Sequence, residues 1–241
     1  MAKIFISIPI LEKPELRSLH SVYMAVMTSK HQCRLYFNEN DSLISRVRNV
    51  HASLFLDEFP DYDYFCSIDS DIEIKNVFKN NNALDKLIDH NVDFCGGLYA
   101  LKKQNEVKCS SIPMEWGNIK YNSGLLEMRW LSTGCWMLKR SVMEKMRDAY
   151  PELHYRGDDN VAGKDLYALY MPMIYEMTEQ DIIKDTAILP WKKYLSEDWA
   201  FSARWKKLGG KIYADTSIYL KHIGRKDYVL WDLEAVNVED K

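Results

Sequence analysis

Two aspartates, Asp69 and Asp71, follow an apolar run at residues 64–68 and are separated by one residue. The run predicts a buried strand, so both carboxylates would lie where that strand ends. Mg²⁺ and Mn²⁺ take oxygen ligands, usually one or two protein carboxylates together with water and substrate phosphates. The pair therefore indicates a site for a divalent cation that carries a diphosphate. A plain turn after a strand would use the same residue types, so the pair alone does not decide between the two.

The first half of the chain predicts the elements that would position this pair. Short apolar runs alternate with helical patterns, which is typical of βαβ units and of a mostly parallel central sheet flanked by helices. Amphipathic spacing after the capping candidates Asp41 and Ser42 predicts the second helix. The predicted elements, in chain order, are a strand at 3–8, a helix at 15–29, a strand at 33–37, a helix through Leu43, Val47, Val50 and Leu54, a strand at 64–68, a helix through Leu84, Leu87 and Ile88, and a strand at 92–95 closed by Gly96 and Gly97.

Open α/β sheets bind their ligands beyond the carboxyl ends of the strands. Pro9, the two aspartates and the glycine pair all fall at such ends, so we predict that they share one cleft. The first strand is not followed by G-x-G-x-x-G, and G-x-x-x-x-G-K-[ST] does not occur in the chain. Dinucleotide binding and a P-loop are therefore not supported, and we expect a metal ion to hold the phosphates.

The second half is less regular and predicts a smaller mixed or antiparallel part. Apolar patterns at residues 106–112 and 125–131 predict two strands, and residues 136–138 lead into a helix at 141–149. A chain of 241 residues can bury one substantial core, so we expect a single α/β domain.

Composition narrows the class of protein. Lys and Arg together number 32 against 35 Asp and Glu, and this near balance argues against a nucleic-acid or anionic-membrane surface. The five cysteines are scattered, which favours buried thiols in a reducing compartment over disulfides or zinc ligands. No apolar run approaches the ~18 residues that a transmembrane helix needs, and the first residues lack the pattern of a signal peptide. We expect a cytoplasmic protein, and its oligomeric state is open.

Three later segments, at residues 130–138, 195–201 and 218–224, follow the aspartates in a suggestive order. With Ile68-Asp69-Ser70-Asp71, Ser196-Glu197-Asp198 and His222-Ile223-Gly224 as its most specific motifs, the chain resembles the GT-A fold glycosyltransferases, especially small viral and bacterial members similar to family 2 enzymes. The resemblance implies one Rossmann-like GT-A domain over residues 1–241. It would comprise a nucleotide-sugar-binding half at 1–100, an acceptor and catalytic half at 101–224, and a C-terminal tail at 225–241.

The resemblance implies a role for each motif. Asp71 would bind Mn²⁺ or Mg²⁺ directly, Asp69 would meet the ribose or a metal-bound water, and His222 would complete the metal shell. Asp198 would be the general base that deprotonates the acceptor hydroxyl in an inverting reaction, and Glu197 would be the alternate base or would orient the acceptor. Ser196 is a candidate cap for the helix on which both carboxylates would lie.

The remaining candidates concern the donor and the acceptor. The expected donor is a UDP-sugar, with GDP- and dTDP-sugars open, and the expected acceptor is a glycan or another hydroxyl compound. The candidates are Pro9, Arg46, Asp69 and Ser70 for the nucleotide, with Arg48 and Asn49 as further choices; Gly96, Gly97 and Gly134 for the donor sugar, with Tyr99 and Lys102 as neighbours; and Trp136, Tyr170 and Trp191 for the acceptor.

Three other functions compete with this one. A non-catalytic nucleotide-sugar or glycan-binding domain would keep the same fold without turnover. A glycosyltransferase acting on modified DNA bases is disfavoured by the absence of a basic stripe. A sugar-nucleotide pyrophosphorylase would carry a Gly-rich signature after the first strand, where this chain has Ile8-Pro9-Ile10-Leu11-Glu12.

Overall fold

The computed structural model describes residues 1–11, 13–38, 41–115, 120–158, 161–177 and 192–231. Within these residues the chain forms five α-helices and seventeen strands. The helices are α1 (Leu16–Thr28), α2 (Ile44–Glu58), α3 (Ala83–Asp89), α4 (Arg140–Ala149) and α5 (Glu197–Lys207). The strands are β1 (Lys3–Ile8), β2 (Gln32–Phe37), β3 (Tyr64–Ile68), β4 (Ile72–Ile74), β5 (Val77–Phe78), β6 (Asn81–Asn82), β7 (Phe94–Gly97), β8 (Ile112–Pro113), β9 (Leu125–Trp130), β10 (Cys135–Lys139), β11 (His154–Arg156), β12 (Asp165–Tyr167), β13 (Met173–Glu176), β14 (Lys192–Leu195), β15 (Tyr213–Asp215), β16 (Leu220–Ile223) and β17 (Asp227–Val229).

Eight of these strands form the central sheet, in the order β2-β1-β3-β10-β7-β15-β9-β8. The pairs β1–β2, β1–β3 and β7–β15 are parallel, whereas β9 and β10 run antiparallel to their neighbours. Six strands therefore point one way and two point the other. The mixed α/β architecture and the mainly parallel sheet agree with the sequence-based prediction.

Helices cover both faces of the sheet. The strands of the sheet carry apolar side chains on both of their faces, so each face packs into a core of its own. Phe5 and Phe65 point into one core with residues of α2, α4 and α5. Ile4 and Ile6, their neighbours along β1, point into a second core with residues of α1 and α3. Alternation with a period of two residues sends successive side chains to opposite faces, so one short strand serves both cores.

Two predicted strands differ from the structure. The strand predicted at 92–95 is β7, and it includes Gly96 and Gly97 instead of ending before them. A Cβ on Gly96 would lie 2.5 Å from the carbonyl oxygen of Cys135, so the close approach of β10 requires glycine inside the strand. The strand predicted at 106–112 is wrong for residues 106–108, which are exposed and bury no apolar face, and only Ile112 and Pro113 pair as β8.

A small three-stranded sheet, β17-β16-β4, joins the end of the chain to the aspartates. β4 begins directly after Asp71, and its Ile72 stands opposite His222 of β16. The amide of Ile223 donates to the carbonyl of Asp71 at 2.8 Å. The predicted C-terminal tail thus contributes a strand, β17, to this sheet.

The cysteines in the described structure are free, and Cys66, Cys95 and Cys135 are buried, as the sequence predicts. None of the helices within the described ranges is long and apolar enough to cross a membrane.

Candidate active site

Asp69 and Asp71 lie on a turn beyond β3 that points their side chains to different partners. The amide of Ile72 donates to the carbonyl of Asp69 at 3.0 Å and closes the turn, and the amide of Asp69 donates to the carbonyl of Gly134 at 3.1 Å. An extended strand would place residues two apart on the same face. The turn instead directs the two carboxylates to different partners, Asp69 to Arg48 and Asp71 to Lys102 and His222.

Asp71 contacts two basic side chains. Lys102 donates from Nζ to Oδ2 of Asp71 at 2.6 Å, and Nε2 of His222 lies 3.3 Å from the same oxygen. Burial raises the pKa of Asp71, but the hydrogen bonds with His222 and Lys102 outweigh it and lower that pKa to about 2. The carboxylate is therefore ionised at neutral pH.

The other ring nitrogen of His222 fixes the tautomer of the imidazole. Nδ1 lies 2.9 Å from the carbonyl oxygen of Ala100, and because a carbonyl can only accept, Nδ1 carries the proton. Nε2 then faces Oδ2 of Asp71, where a protonated ring donates a hydrogen bond and a neutral ring would offer its lone pair to a cation bound between the two groups. Metal-binding histidines commonly donate their other ring N–H to a backbone carbonyl, as Nδ1 of His222 does.

Asp69 is bound to a buried arginine. Arg48 of α2 donates from Nη2 to Oδ1 of Asp69 at 2.8 Å and from Nη1 to Oγ of Ser67 at 3.2 Å. Only 4% of the Arg48 side chain is exposed, against 24% of the Asp69 side chain. Since a guanidinium stays charged even when it is buried, Arg48 supplies a permanent positive charge at the end of β3.

Arg48 also reaches the helix that carries the predicted catalytic carboxylates. Its Nε lies 3.5 Å from Oε1 of Glu197, the first residue of α5. Burial raises the pKa of Glu197, Arg48 opposes that rise, and the charge of Asp198 adds to it. One buried cation therefore joins the aspartate of β3 to the N-terminus of α5.

Asp198 lies in the first turn of α5, where the helix dipole favours a negative charge. Its Oδ1 accepts hydrogen bonds from the hydroxyl of Ser196 and, at 2.8 Å, from the amide of Trp199. Ser196 is at the N-cap position, as predicted, but its side chain bonds to Asp198 and not to a helix amide. Among the described residues no donor contacts Oδ2 of Asp198, which leaves this oxygen available to an incoming hydroxyl.

Tyr99 lies between these groups. Its ring meets that of His222 edge to face with centroids 5.2 Å apart, and its hydroxyl accepts from the amide of Gly134 at 3.2 Å. Burial, together with the negative charges of Asp69 and Asp198, raises the pKa of Tyr99 well above its usual value. The charges of Asp69 and Asp198 therefore both act on the hydroxyl of Tyr99.

A cavity of about 220 Å³ opens beside Asp69 and Asp71 at the carboxyl ends of β1 and β3. The loop after β1 forms one wall and is held by Asn38, which accepts from the amide of Ile10 at 2.8 Å and donates to its carbonyl at 2.9 Å. The cavity is lined by Pro9, Ile10, Leu11, Asp41, Ser42, Ile44, Val47, Arg48, Asp69, Ser70 and Asp71.

The arginine that lines this cavity is Arg48. Arg46, the first choice from the sequence, pairs at the surface with Asp41 through bonds of 2.7 and 2.9 Å. The helical period explains the difference, because residues 48, 52 and 55 share the buried face of α2. The sequence signal for Arg48 is a charged residue on the apolar face of a helix, since such a charge requires a buried partner.

The predicted donor-sugar glycines are all at close packing contacts. A Cβ on Gly97 would lie 2.8 Å from Leu220, and one on Gly134 would lie 2.5 Å from the ring of Tyr99. Gly96 packs against Cys135 in the same manner. Each glycine therefore has a structural reason to be there, and a role toward a sugar stays a prediction.

The predicted acceptor residues are not gathered at the site. Trp136 and Tyr170 are completely buried, pack against Phe201 in the core and offer no surface to a sugar as packed here. Aromatic residues contribute large apolar area, and the core takes both of these. Trp191 lies outside the described residues.

The predicted metal ligands come together only in part. Asp71 and His222 are adjacent, whereas Asp69 is turned toward Arg48, and the described residues contain no group of three His, Cys, Asp or Glu side chains placed to hold a metal ion. The 3.3 Å between Oδ2 of Asp71 and Nε2 of His222 is close to the spacing of adjacent ligands around Mg²⁺, about 3 Å for bonds near 2.1 Å. Two protein ligands suit a cation that takes its other ligands from water and a diphosphate.

Comparisons with known proteins concern the fold. No protein-family model matches the chain, and none of the curated proteins matches it in sequence. The crystal structure of A197 from STIV is similar with a TM-score of 0.56 and 17% identity, over 96% of this chain and 95% of that one. The chain therefore shares its overall fold with that protein. The crystal structure of a glycosyltransferase involved in the glycosylation of the major capsid of PBCV-1 matches with a TM-score of 0.37 and 14% identity, over 61% and 65% of the two chains, which is too weak to support an argument.

Proposed function

We propose that this protein is a metal-dependent glycosyltransferase, which moves a sugar from a nucleotide-sugar donor to an acceptor hydroxyl. The observation that carries the proposal is the cavity at the ends of β1 and β3, with Asp69 and Asp71 on one wall and Arg48 linking it to Glu197 on α5. Carboxylates for a cation, a buried arginine and an acidic helix start lie within one small volume. Phosphoryl-bearing ligands are commonly held by such combinations of metal and arginine.

The donor would lie in the cavity with its diphosphate toward Asp71. Asp71 and His222 would hold Mn²⁺ or Mg²⁺, and the ion would supply positive charge that stabilises the departing diphosphate. Asp69, fixed by Arg48, is suited to accept hydrogen bonds from the ribose. A UDP-sugar is the first donor to test, followed by GDP- and dTDP-sugars.

Asp198 would act as the general base. Its Oδ1 is held by Ser196 and Trp199, so the carboxylate is oriented while Oδ2 faces no described donor. A sugar hydroxyl is a weak nucleophile, and removal of its proton during attack contributes roughly 10²–10⁴-fold to the rate. One base and one in-line displacement invert the anomeric centre, which NMR of the product would show directly.

A screen of nucleotide sugars with the purified protein and Mn²⁺ tests the proposal. We expect release of nucleoside diphosphate from at least one donor, its loss on addition of EDTA, and its loss in the Asp71→Ala variant. Failure to bind or turn over any nucleotide sugar with either metal would refute the proposal. Metal-dependent binding without release in the presence of acceptors would favour the non-catalytic binding domain.

A further inference from the structure

The two aspartates are neutralised by cations of different kinds. Arg48 is buried on α2, bonds to Asp69 and Ser67 and lies beside Glu197, so it is fixed from several sides. Within the described residues, Lys102 makes one hydrogen bond, to Asp71, and 36% of its side chain is exposed. Arg48 is therefore part of the folded core, whereas Lys102 is accessible to solvent and ligands.

We infer that Lys102 is an exchangeable counter-ion: it neutralises Asp71 before the donor arrives, leaves this carboxylate when a divalent cation binds, and then binds the diphosphate of the donor. The inference rests on the proposed function and adds a diphosphate-binding residue to it. It makes Lys102 a competitor of the metal ion and a partner of the nucleotide.

Competition follows from the position of the ammonium group. Nζ of Lys102 lies 2.6 Å from Oδ2 of Asp71, the oxygen that also faces Nε2 of His222. A divalent cation bound between Asp71 and His222 would take the same oxygen. Since two cations within hydrogen-bond distance of one oxygen repel each other strongly, both cannot stay there.

The surroundings of Lys102 allow it to move. It stands in a segment, residues 101–108, whose ends are joined by the amide of Leu101 donating to the carbonyl of Lys108 at 2.8 Å. Residues 102–108 of that segment are exposed. The stem of Lys102 passes over Gly224, where a Cβ would lie 3.2 Å from its Cδ. A four-carbon stem with one polar contact can re-aim its ammonium without disturbing the core.

The destination of the ammonium follows from charge. The donor's diphosphate would lie beside Asp71, and lysine binds phosphate as a mobile point charge. Arg48 is held by its own carboxylates and cannot make this move. Lys102, which bonds to Asp71 in the wall of the cavity, can thus move its charge from the carboxylate to the phosphate.

The test compares Lys102→Met with the matched control Lys103→Met, which removes the same charge one residue away. Lys103 pairs with Glu106 and not with an aspartate of the site. Mn²⁺ affinity without nucleotide is measured by electron paramagnetic resonance, and UDP affinity in saturating Mn²⁺ is measured by calorimetry. For Lys102→Met we expect Mn²⁺ to bind roughly 3- to 5-fold more tightly, because an ion pair no longer has to break. We expect UDP to bind at least about 10-fold more weakly, because a charge-assisted hydrogen bond to phosphate is lost.

Opposite changes in the two affinities are the diagnostic result. Lys103→Met should leave both within about 2-fold, and Lys102→Arg, which keeps the charge, should not gain Mn²⁺ affinity. Unchanged or weaker Mn²⁺ binding in Lys102→Met overturns the proposed displacement of Lys102 by the metal ion. Absence of Mn²⁺ binding in both the wild type and Lys102→Met overturns it as well. Unchanged UDP affinity overturns the transfer to the diphosphate. If no nucleoside diphosphate binds the wild-type protein, the proposed function fails, while the Mn²⁺ measurement alone still decides whether Lys102 competes for Asp71.

Discussion

Replacing Arg48 with methionine should destabilise the protein and disconnect Asp69 from Glu197. Methionine keeps much of the side-chain volume but removes the charge, so both carboxylates lose their shared partner. Removal of one member of a buried ion pair costs about 3–5 kcal/mol, because an uncompensated charge stays behind. Asp69 and Glu197 keep 24% and 16% of their side chains exposed, so solvent offsets part of this cost and we expect about 3 kcal/mol.

A loss of this size is smaller than the unfolding free energy of typical native proteins, about 5–15 kcal/mol, so we expect a folded variant on which it can be measured. For a chain of 150–250 residues, 1 kcal/mol shifts the melting temperature by roughly 2–4 °C, so Arg48→Met should melt about 6–12 °C below the wild type. Urea unfolding followed by circular dichroism gives the free energy directly. Asp69→Asn and Glu197→Gln introduced into Arg48→Met should recover part of the loss, because neutral amides need no buried cation.

The pH dependence supplies a second readout for the same variant. Burial already raises the pKa of Glu197 and Arg48 opposes the rise, so removing Arg48 should raise this pKa further. A carboxyl whose pKa is higher in the folded state binds more protons there, so its contribution to stability falls as the pH rises above its unfolded pKa. The stability deficit of Arg48→Met should therefore shrink in mild acid. A loss below about 1 kcal/mol, or no recovery when both carboxylates are neutralised, would refute the coupling through Arg48.

Two further predictions concern the base and a buried histidine. Asp198→Asn should keep Mn²⁺ and UDP affinity within about 3-fold while turnover falls roughly 10²–10⁴-fold, since the amide keeps the size and loses the base; unchanged turnover would remove Asp198 from the mechanism. Burial, with the charge of Arg48, lowers the pKa of His51 to about 3, and its Nδ1 lies 2.7 Å from Oγ of Ser7. Below about pH 6.5 only the unfolded chain takes up this proton, so stability should fall by up to about 5 kcal/mol as the pH approaches 3. The urea midpoint of His51→Gln should fall less steeply with decreasing pH than that of the wild type. Equal slopes would contradict the lowered pKa of His51 as a cause of the acid sensitivity.

The sequence predicts the first half of the fold well because its apolar spacing has a clear period. The strands at 3–8 and 64–68 and the helices α1 and α2 are found close to their predicted bounds. The end of β7 differs from the prediction, since glycine often ends a strand, whereas Gly96 lies inside β7 and permits close packing of β10. Whether a glycine ends a strand or admits a neighbour depends on the neighbour, which local sequence does not contain.

The site shows the same limit at the level of single side chains. Arg46 and Arg48 are the same residue type on the same helix. Arg48 is on the buried face of α2 and pairs with Asp69, whereas Arg46 is on the exposed face and pairs with Asp41 at the surface. Trp136 and Tyr170 suit a sugar platform by chemistry, yet the core takes them because it needs their area. Residue type therefore predicts which chemistry is available, and packing decides which residues of a given type reach the cavity.

The unequal surroundings of Asp69 and Asp71 come from elements far apart in the chain. α2 brings Arg48 to Asp69, and the pairing of β4 with β16 brings His222 to Asp71, 151 positions later in the sequence. A shift of β16 by one residue would turn His222 to the other side of the small sheet, because side chains alternate along a strand. The register of this three-stranded sheet therefore controls whether Asp71 has an imidazole beside it. Since Ile223 also donates to the carbonyl of Asp71, the backbone that fixes the register is the same backbone that forms the turn carrying the two aspartates.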